Sequence, residues 1–347
     1  MDKKFTMKNS LHEILTEARE GINLFFPKEM LPFFPEKYHT LPMEEWVKDF
    51  RMPWGAPFDG EALLEDANRL EDAGRYWEWV PLWVQEEELT IESNDLHSVS
   101  LMIPKCTLEG VRPAVLICPG GGYANISFHS EGLETAKHLE QADYRTFILN
   151  YRVHPNLFPA PQMDLALAIK HLRANAEKYQ IDPENLMILG YSAGGHLCAS
   201  TAALREEINE KLQEELEKER PDLAAAYRDI SIRPDKICLG YPVIGFLQDG
   251  HEDSFRMLTD GNEALREHLS VEKQIDPDYP MTFLWTCADD SLVPPVNTEY
   301  MRAALEEAGV DHLCLVYPQG EHGCSLGTGT SAEGWMDEML AFMNPEE

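Results

Sequence analysis

Positive charge is scarce in this chain. Its 347 residues hold 29 Lys and Arg against 61 Asp and Glu, a formal charge of −32. Nucleic-acid phosphates need Lys and Arg, so that class of partner is excluded. An anionic membrane surface is excluded on the same ground. Long apolar runs are missing too: nothing approaches the roughly 20 residues of a membrane span. The first residues, Met1 to Lys8 followed by Asn9, Ser10, His12 and Glu13, contain no apolar signal-peptide core. The seven cysteines (106, 118, 198, 238, 287, 314, 324) are odd in number and form no C-x-x-C pair. Several lie inside apolar runs, where Cys acts as a small hydrophobe. A reduced, cytoplasmic chain without a zinc framework is expected. No P-loop, HExxH or EF-hand pattern occurs. Gly327-Thr328-Gly329-Thr330-Ser331-Ala332 imitates a dinucleotide fingerprint, but lies too near the end of the sequence for a βαβ unit to follow.

What is present is globular: 44% apolar and 26% charged residues. From about residue 86, short apolar runs alternate with amphipathic stretches. The runs fall at 114–118, 146–149, 186–189, 237–239, 282–285 and 313–317. Continuous runs of this length suit strands buried on both faces of a parallel sheet. The amphipathic stretches include 164–178 and 296–308. An open α/β sheet with right-handed crossovers is expected. Residues 88–92 and 97–103 read as an antiparallel edge hairpin turned at Asn94-Asp95. The segment 205–220 reads as a solvated helix with one apolar stripe, Leu204, Ile208, Leu212 and Leu216. As a surface helix it needs no further role, though a lid or a dimer contact, and hence a homo-oligomer, stays open.

Residues 1–85 differ. Prolines 27, 32, 35, 42, 53, 57 and 81 keep regular elements short. Aromatic rings are frequent, among them Trp46, Trp54, Trp77, Trp79 and Trp83. The division is therefore an N-terminal extension, 1–85, and a main domain, 86–347. The extension either packs its rings on the main domain or roofs a substrate pocket.

The strongest chemical signal is Gly190-Tyr191-Ser192-Ala193-Gly194-Gly195, directly after the run 186–189 and before a helix-like stretch. G-x-S-x-G between strand and helix is a nucleophile elbow. A serine hydroxyl needs a base to take its proton and an acid to orient that base. Each should follow a later strand, acid before His. Ala288-Asp289-Asp290 follows the run 282–285, and Gly320-Glu321-His322 follows 313–317. Position leaves Asp289 and Asp290 both open. His196 reads as core or pocket wall; His129, His154 and His251 fall in loops and read as surface residues or site lining. Oxyanion donors are expected from the Ala193 amide and from the turn Pro119-Gly120-Gly121-Gly122-Tyr123.

These residues resemble the α/β-hydrolase superfamily, and within it the small acetyl-esterase and acetylxylan-esterase group related to hormone-sensitive lipase. The resemblance covers about residues 86–347, through PGGGY (119–123), LNYRV (149–153), GYSAGGH (190–196), LGYPVI (239–244), ADDSLVP (288–294) and GEHG (320–323). It implies an α/β-hydrolase fold and a serine carboxylesterase that needs no cofactor. Ser192, Asp290 and His322 would be the catalytic residues, because the orienting acid in such families is the Asp of Asp-x-x-Val-Pro. The amides of Gly121, Gly122 and Ala193 would hold the oxyanion. The implied substrate is a small-molecule ester, acetyl foremost, on a sugar or other small alcohol. A serine peptidase and a non-catalytic binding protein are the rival readings. Pro119 departs from the pattern, since many relatives carry His before the glycines, and the aromatic extension is a second departure. The acidity favours neutral or cationic substrates over anionic ones.

Overall fold

The computed structural model describes residues 4–51 and 58–344; Pro53, Trp54 and Pro57 lie outside them. Eight strands form one sheet in the order β1-β2-β4-β3-β5-β6-β7-β8. They are β1 (Trp77–Pro81), β2 (Ser100–Pro104), β3 (Arg112–Cys118), β4 (Arg145–Asn150), β5 (Ile181–Tyr191), β6 (Lys236–Gly240), β7 (Met281–Cys287) and β8 (His312–Tyr317). β1, β2 and β4 pair antiparallel, and every other pairing is parallel. All six apolar runs fall inside strands. Leu116, Ile117, Leu186, Ile188, Leu189, Ile237 and Leu284 are fully buried, as strands covered on both faces require. The helix expected at 164–178 spans Ala160–Ala174, and that at 296–308 has those bounds. The helix Arg205–Glu219 buries Ile208, Leu212 and Leu216 and turns its charge outward.

The edge hairpin is corrected. Residues 88–92 form no strand; Glu86–Glu88 make a single 3-10 turn. The partner of β2 is Trp77–Pro81, with Trp77 opposite Pro104 and Pro81 opposite Ser100. Pro81 is tolerated because β1 is an edge strand, where a missing N–H breaks no ladder. Asn94 does turn, at φ +53°, but its side chain accepts from Val153 N (3.0 Å) and donates to His154 O (3.0 Å), so it ties down the chain after β4.

The sheet therefore begins inside the segment 1–85. The rest of that segment is held by rings. Phe34 stacks on Phe50 at 4.8 Å, Tyr38 on Trp46 at 4.8 Å, and Trp46 on Phe58 at 5.8 Å. These side chains belong to the same apolar core as the sheet. Trp83 donates from its indole to Asp164 (2.8 Å), which also pairs with Arg152 (2.7 Å), so the loop after β4 is pinned by a buried ion pair and the indole hydrogen bond beside it.

The strand order reverses between β3 and β5. β4 lies on one side of β3, and the chain then crosses to start β5 on the other. A crevice opens at such a reversal, beyond the carboxyl ends of the strands. Cys118 stands level with Gly190 there, so the glycine turn after β3 and the serine turn after β5 begin side by side.

Candidate active site

Ser192 starts the helix Ser192–Ala203 with a φ of +52°, in the left-handed region that a side chain seldom adopts. The turn is tight enough to dictate its neighbours. A Cβ on Gly190 would sit 2.2 Å from Gly194 O, and one on Gly194 would sit 2.1 Å from Cys118 O. The glycines let strand and helix touch, and Ser192 is left 7% exposed at the crevice.

His322 arrives from the loop after β8. One ring nitrogen, Nε2, lies 2.9 Å from Ser192 Oγ, and the other, Nδ1, lies 2.8 Å from Asp290 Oδ2. Asp290 is itself fixed: its Oδ1 accepts from the amides of Leu292 (3.0 Å) and Val293 (2.9 Å). Asp289 points elsewhere. It accepts from the amides of Gly320 (2.9 Å) and Glu321 (2.9 Å) and thus clasps the loop that carries His322. The two adjacent aspartates divide the work between them, one facing the imidazole and one facing its loop.

The glycine turn holds Gly121 at φ +132° and Gly122 at φ +65°. A Cβ on Gly121 would meet Asn125 O at 2.1 Å. Among the described residues, the amides of Gly121 and Gly122 donate to no protein acceptor. Ala193, in the first turn of its helix, also has no intrahelical acceptor for its N–H. The glycine turn meets the serine at Gly120, where a Cβ would sit 2.9 Å from Ser192 Cβ.

Sequence reasoning missed Glu131. It lies in a π-type turn, Phe128–Leu133, and is 4% exposed. Its Oε2 accepts from the Gly120 amide (2.6 Å), and its Oε1 accepts from the Tyr241 hydroxyl (2.8 Å). Tyr241 Oη accepts in turn from the Ser325 amide (3.1 Å), and the Tyr241 ring lies 4.9 Å from the His322 ring. One buried carboxyl therefore joins the glycine turn to the histidine loop. Burial pushes it above its ordinary 4.5, against the pull of its two donors. An isolated Glu in an irregular segment has no periodicity to betray it. Its flanking Phe128 and Leu133 were the only sign of burial. Pro119 is steadied without a His, since its carbonyl accepts from Tyr151 Oη at 2.6 Å.

The other histidines separate. His196 is fully buried, between Tyr123 Oη (2.8 Å) and Leu269 O (2.9 Å), and burial pushes it down to about 4, so it stays neutral. It braces Tyr123, the residue after the glycines. His251 sits near enough to His322 and Asp290 to feel both charges, and its Nδ1 contacts Ser254 Oγ (2.7 Å). His129 pairs with Asp66 of the helix Gly60–Leu70, and His154 borders a cavity beside the glycine turn. The rings of Trp46 and Trp77 pack on Tyr38 and Phe25 respectively. Among the described residues, no three His, Cys, Asp or Glu side chains cluster as a metal site requires.

The BD-FAE family model matches residues 100–305. The chain is 34% identical over 230 residues to endo-1,4-beta-xylanase B of Butyrivibrio fibrisolvens, covering 65% of this chain and 34% of that protein. It is 26% identical over 219 residues to an acetylxylan esterase of Xylanibacter ruminicola, covering 62% of this chain and 42% of that protein. The chain thus spans well under half the length of these curated relatives. A crystal structure of an acetyl ester-xyloside bifunctional hydrolase from Caldicellulosiruptor lactoaceticus superposes with a TM-score of 0.63 at 30% identity, covering 77% of this chain and 97% of that one.

Proposed function

The chain belongs to the BD-FAE family of α/β-hydrolases, and from that premise we propose that it is a serine carboxylesterase removing acetyl groups from sugar hydroxyls. The observation that carries the reading is the continuous hydrogen-bonded run from Ser192 Oγ through His322 to Asp290. His322 Nε2 takes the serine proton as Oγ attacks the ester carbonyl. The negative charge on the carbonyl oxygen is met by the amides of Gly121, Gly122 and Ala193. Asp290 stabilises the imidazolium and keeps Nδ1 protonated. His322 then gives its proton to the leaving alcohol. In the second half it takes a proton from water as that water attacks the acyl-serine, and returns it to Ser192 Oγ as the acid leaves.

The sugar acetate is favoured because relatives of this chain carry the names acetylxylan esterase and acetyl ester-xyloside hydrolase. A neutral substrate also suits a chain of charge −32. Its seven cysteines carry no disulfide, in keeping with a reducing, cytoplasmic setting. Among the described residues, no helix is long and apolar enough to cross a membrane.

Ser192→Ala tests the mechanism. Turnover of p-nitrophenyl acetate and of acetylated xylo-oligosaccharide is expected to fall by roughly 10⁴- to 10⁶-fold, with circular dichroism unchanged. Retained turnover in the purified variant overturns the assignment of the nucleophile.

A further inference from the structure

A cavity of about 260 Å³ opens beside the glycine turn, on the side away from Ser192. The N-terminal extension supplies one wall through Asn23 and Leu24. Asn125 and Ile126, just after the glycines, supply another, and Asn150 and His154 close it from the end of β4. Its polar lining holds four side-chain amides, Asn23, Asn94, Asn125 and Asn150, beside Lys28, Glu92, Ser98, Tyr151 and His154, and part of the amides' bonding capacity is unused. Asn150 is 5% exposed, and it gives both N–H groups to Ile91 O (3.0 Å) and Ser98 O (2.9 Å). Its Oδ1 accepts from no group among the described residues. Asn23 gives Nδ2 to Glu92 (2.7 Å), while its buried Oδ1 has no partner. The Asn125 side chain makes no hydrogen bond among the described residues. An apolar occupant would leave these amide oxygens unpaired, which is costly. Hydroxyl groups, both donors and acceptors, match them. Leu24 and Ile126 offer the apolar surface that a sugar ring's C–H face requires.

Position narrows the occupant. The serine lies at the end of β5 and the cavity at the end of β4, with β3 between them. Two strand spacings make about 10 Å. The sugar that bears the ester must sit at Ser192, so the cavity is too far to hold that ring.

We propose that this cavity is a subsite for a neutral glycosyl unit neighbouring the one that carries the ester. The proposal rests on the carboxylesterase reading above. The enzyme then prefers acetylated oligosaccharides to acetylated monosaccharides, and the extension contributes to substrate selection through Asn23 and Leu24.

The test compares kcat/KM on an acetylated xylose disaccharide and on acetylated xylose, for the wild type, Leu24→Trp and Asn23→Ala. The wild type is expected to favour the disaccharide by about tenfold or more, the equivalent of one or two net hydrogen bonds. Leu24→Trp, which fills the cavity, and Asn23→Ala are expected to collapse that ratio towards one. Equal rates on both substrates in the wild type overturn the subsite and leave the esterase reading standing. Equal loss on both substrates in the variants also overturns it, because the residues then serve the fold. If no ester is turned over, the esterase reading fails instead. Calorimetry with the unacetylated disaccharide still reads the cavity on its own: binding in the wild type that Leu24→Trp removes supports it, and no binding overturns it.

Discussion

Two regions of this molecule are held together by different forces. The N-terminal extension is bound by ring against ring: Phe34, Phe50, Tyr38, Trp46 and Phe58 share one cluster. The loops after β3, β7 and β8 are bound by carboxylates that accept from backbone amides. Glu131 holds Gly120, Asp290 holds Leu292 and Val293, and Asp289 holds Gly320 and Glu321. Apolar packing is non-directional and tolerates exchange of similar volumes. A carboxylate bridging two amides fixes both distance and angle. The extension therefore sets stability, and the loops set geometry at the reacting atoms. Substitutions that separate rate from stability test the division.

The largest effect is expected at Asp290. Asp290→Asn should lower kcat by about 10⁴-fold through the wrong imidazole tautomer, with the melting temperature little changed. Asp289→Asn should cost far less, and equal losses at the two positions would erase the distinction drawn between them. Glu131→Gln comes next. An amide can accept from Gly120 or from Tyr241, but not both, so the glycine turn loosens. A fall in kcat of roughly 10- to 100-fold with KM nearly unchanged is expected, below the loss for deleting an oxyanion donor outright. Tyr241→Phe should reproduce part of it. If KM carries the change instead, Glu131 serves substrate binding and not the turn.

On the other side of the comparison, Phe34→Ala should cost about 3 to 5 kcal/mol of stability, read by denaturant unfolding. Its kcat/KM on p-nitrophenyl acetate should stay within about twofold when the assay is done well below the melting point. A tenfold loss of kcat in folded protein would mean that the rings also shape the site.

The smallest effect concerns pH. His129 loses solvation on burial, yet its bond to Asp66 and that carboxylate's charge more than compensate, and its pKa rises above the ordinary 6.5. Burial pushes Asp66 up as well, with Arg69 and Glu65 facing it and Glu134 and Asp59 facing His129. The folded state thus holds the imidazole proton more tightly than the unfolded state. The imidazole's contribution is present below pH 6.5, while Asp66 stays ionised, and is lost as pH rises through the folded value of His129. Thermal unfolding at pH 6 and pH 8 should show a decline that His129→Asn flattens. An unchanged slope in that variant would remove the pair from the account.

Much of the main domain was legible in the residues, for physical reasons. Buried parallel strands must be continuously apolar, so Leu186 to Leu189 and its counterparts announce themselves. The turn at Ser192 must have glycines where Gly190 and Gly194 stand, because backbone comes within 2.2 Å of where a Cβ would be. What was not legible depends on contacts between distant segments. Trp77–Pro81 has strand-favouring Trp and Val, but the run is short and closed by proline, and its pairing with the edge of β2 decides it. Glu131 sits 110 positions from Tyr241, and no spacing rule spans that interval. The separate tasks of Asp289 and Asp290 follow from loop directions that neither residue type reveals.

The left-handed backbone at Ser192 has an evolutionary consequence. A side chain held at φ +52° costs on the order of 1–2 kcal/mol relative to a conformation it prefers, and glycine would escape most of that cost. A population selected for thermal endurance alone would drift towards glycine at this one position and lose its hydroxyl in doing so. On the proposed mechanism, the strain is kept because the hydroxyl does the chemistry.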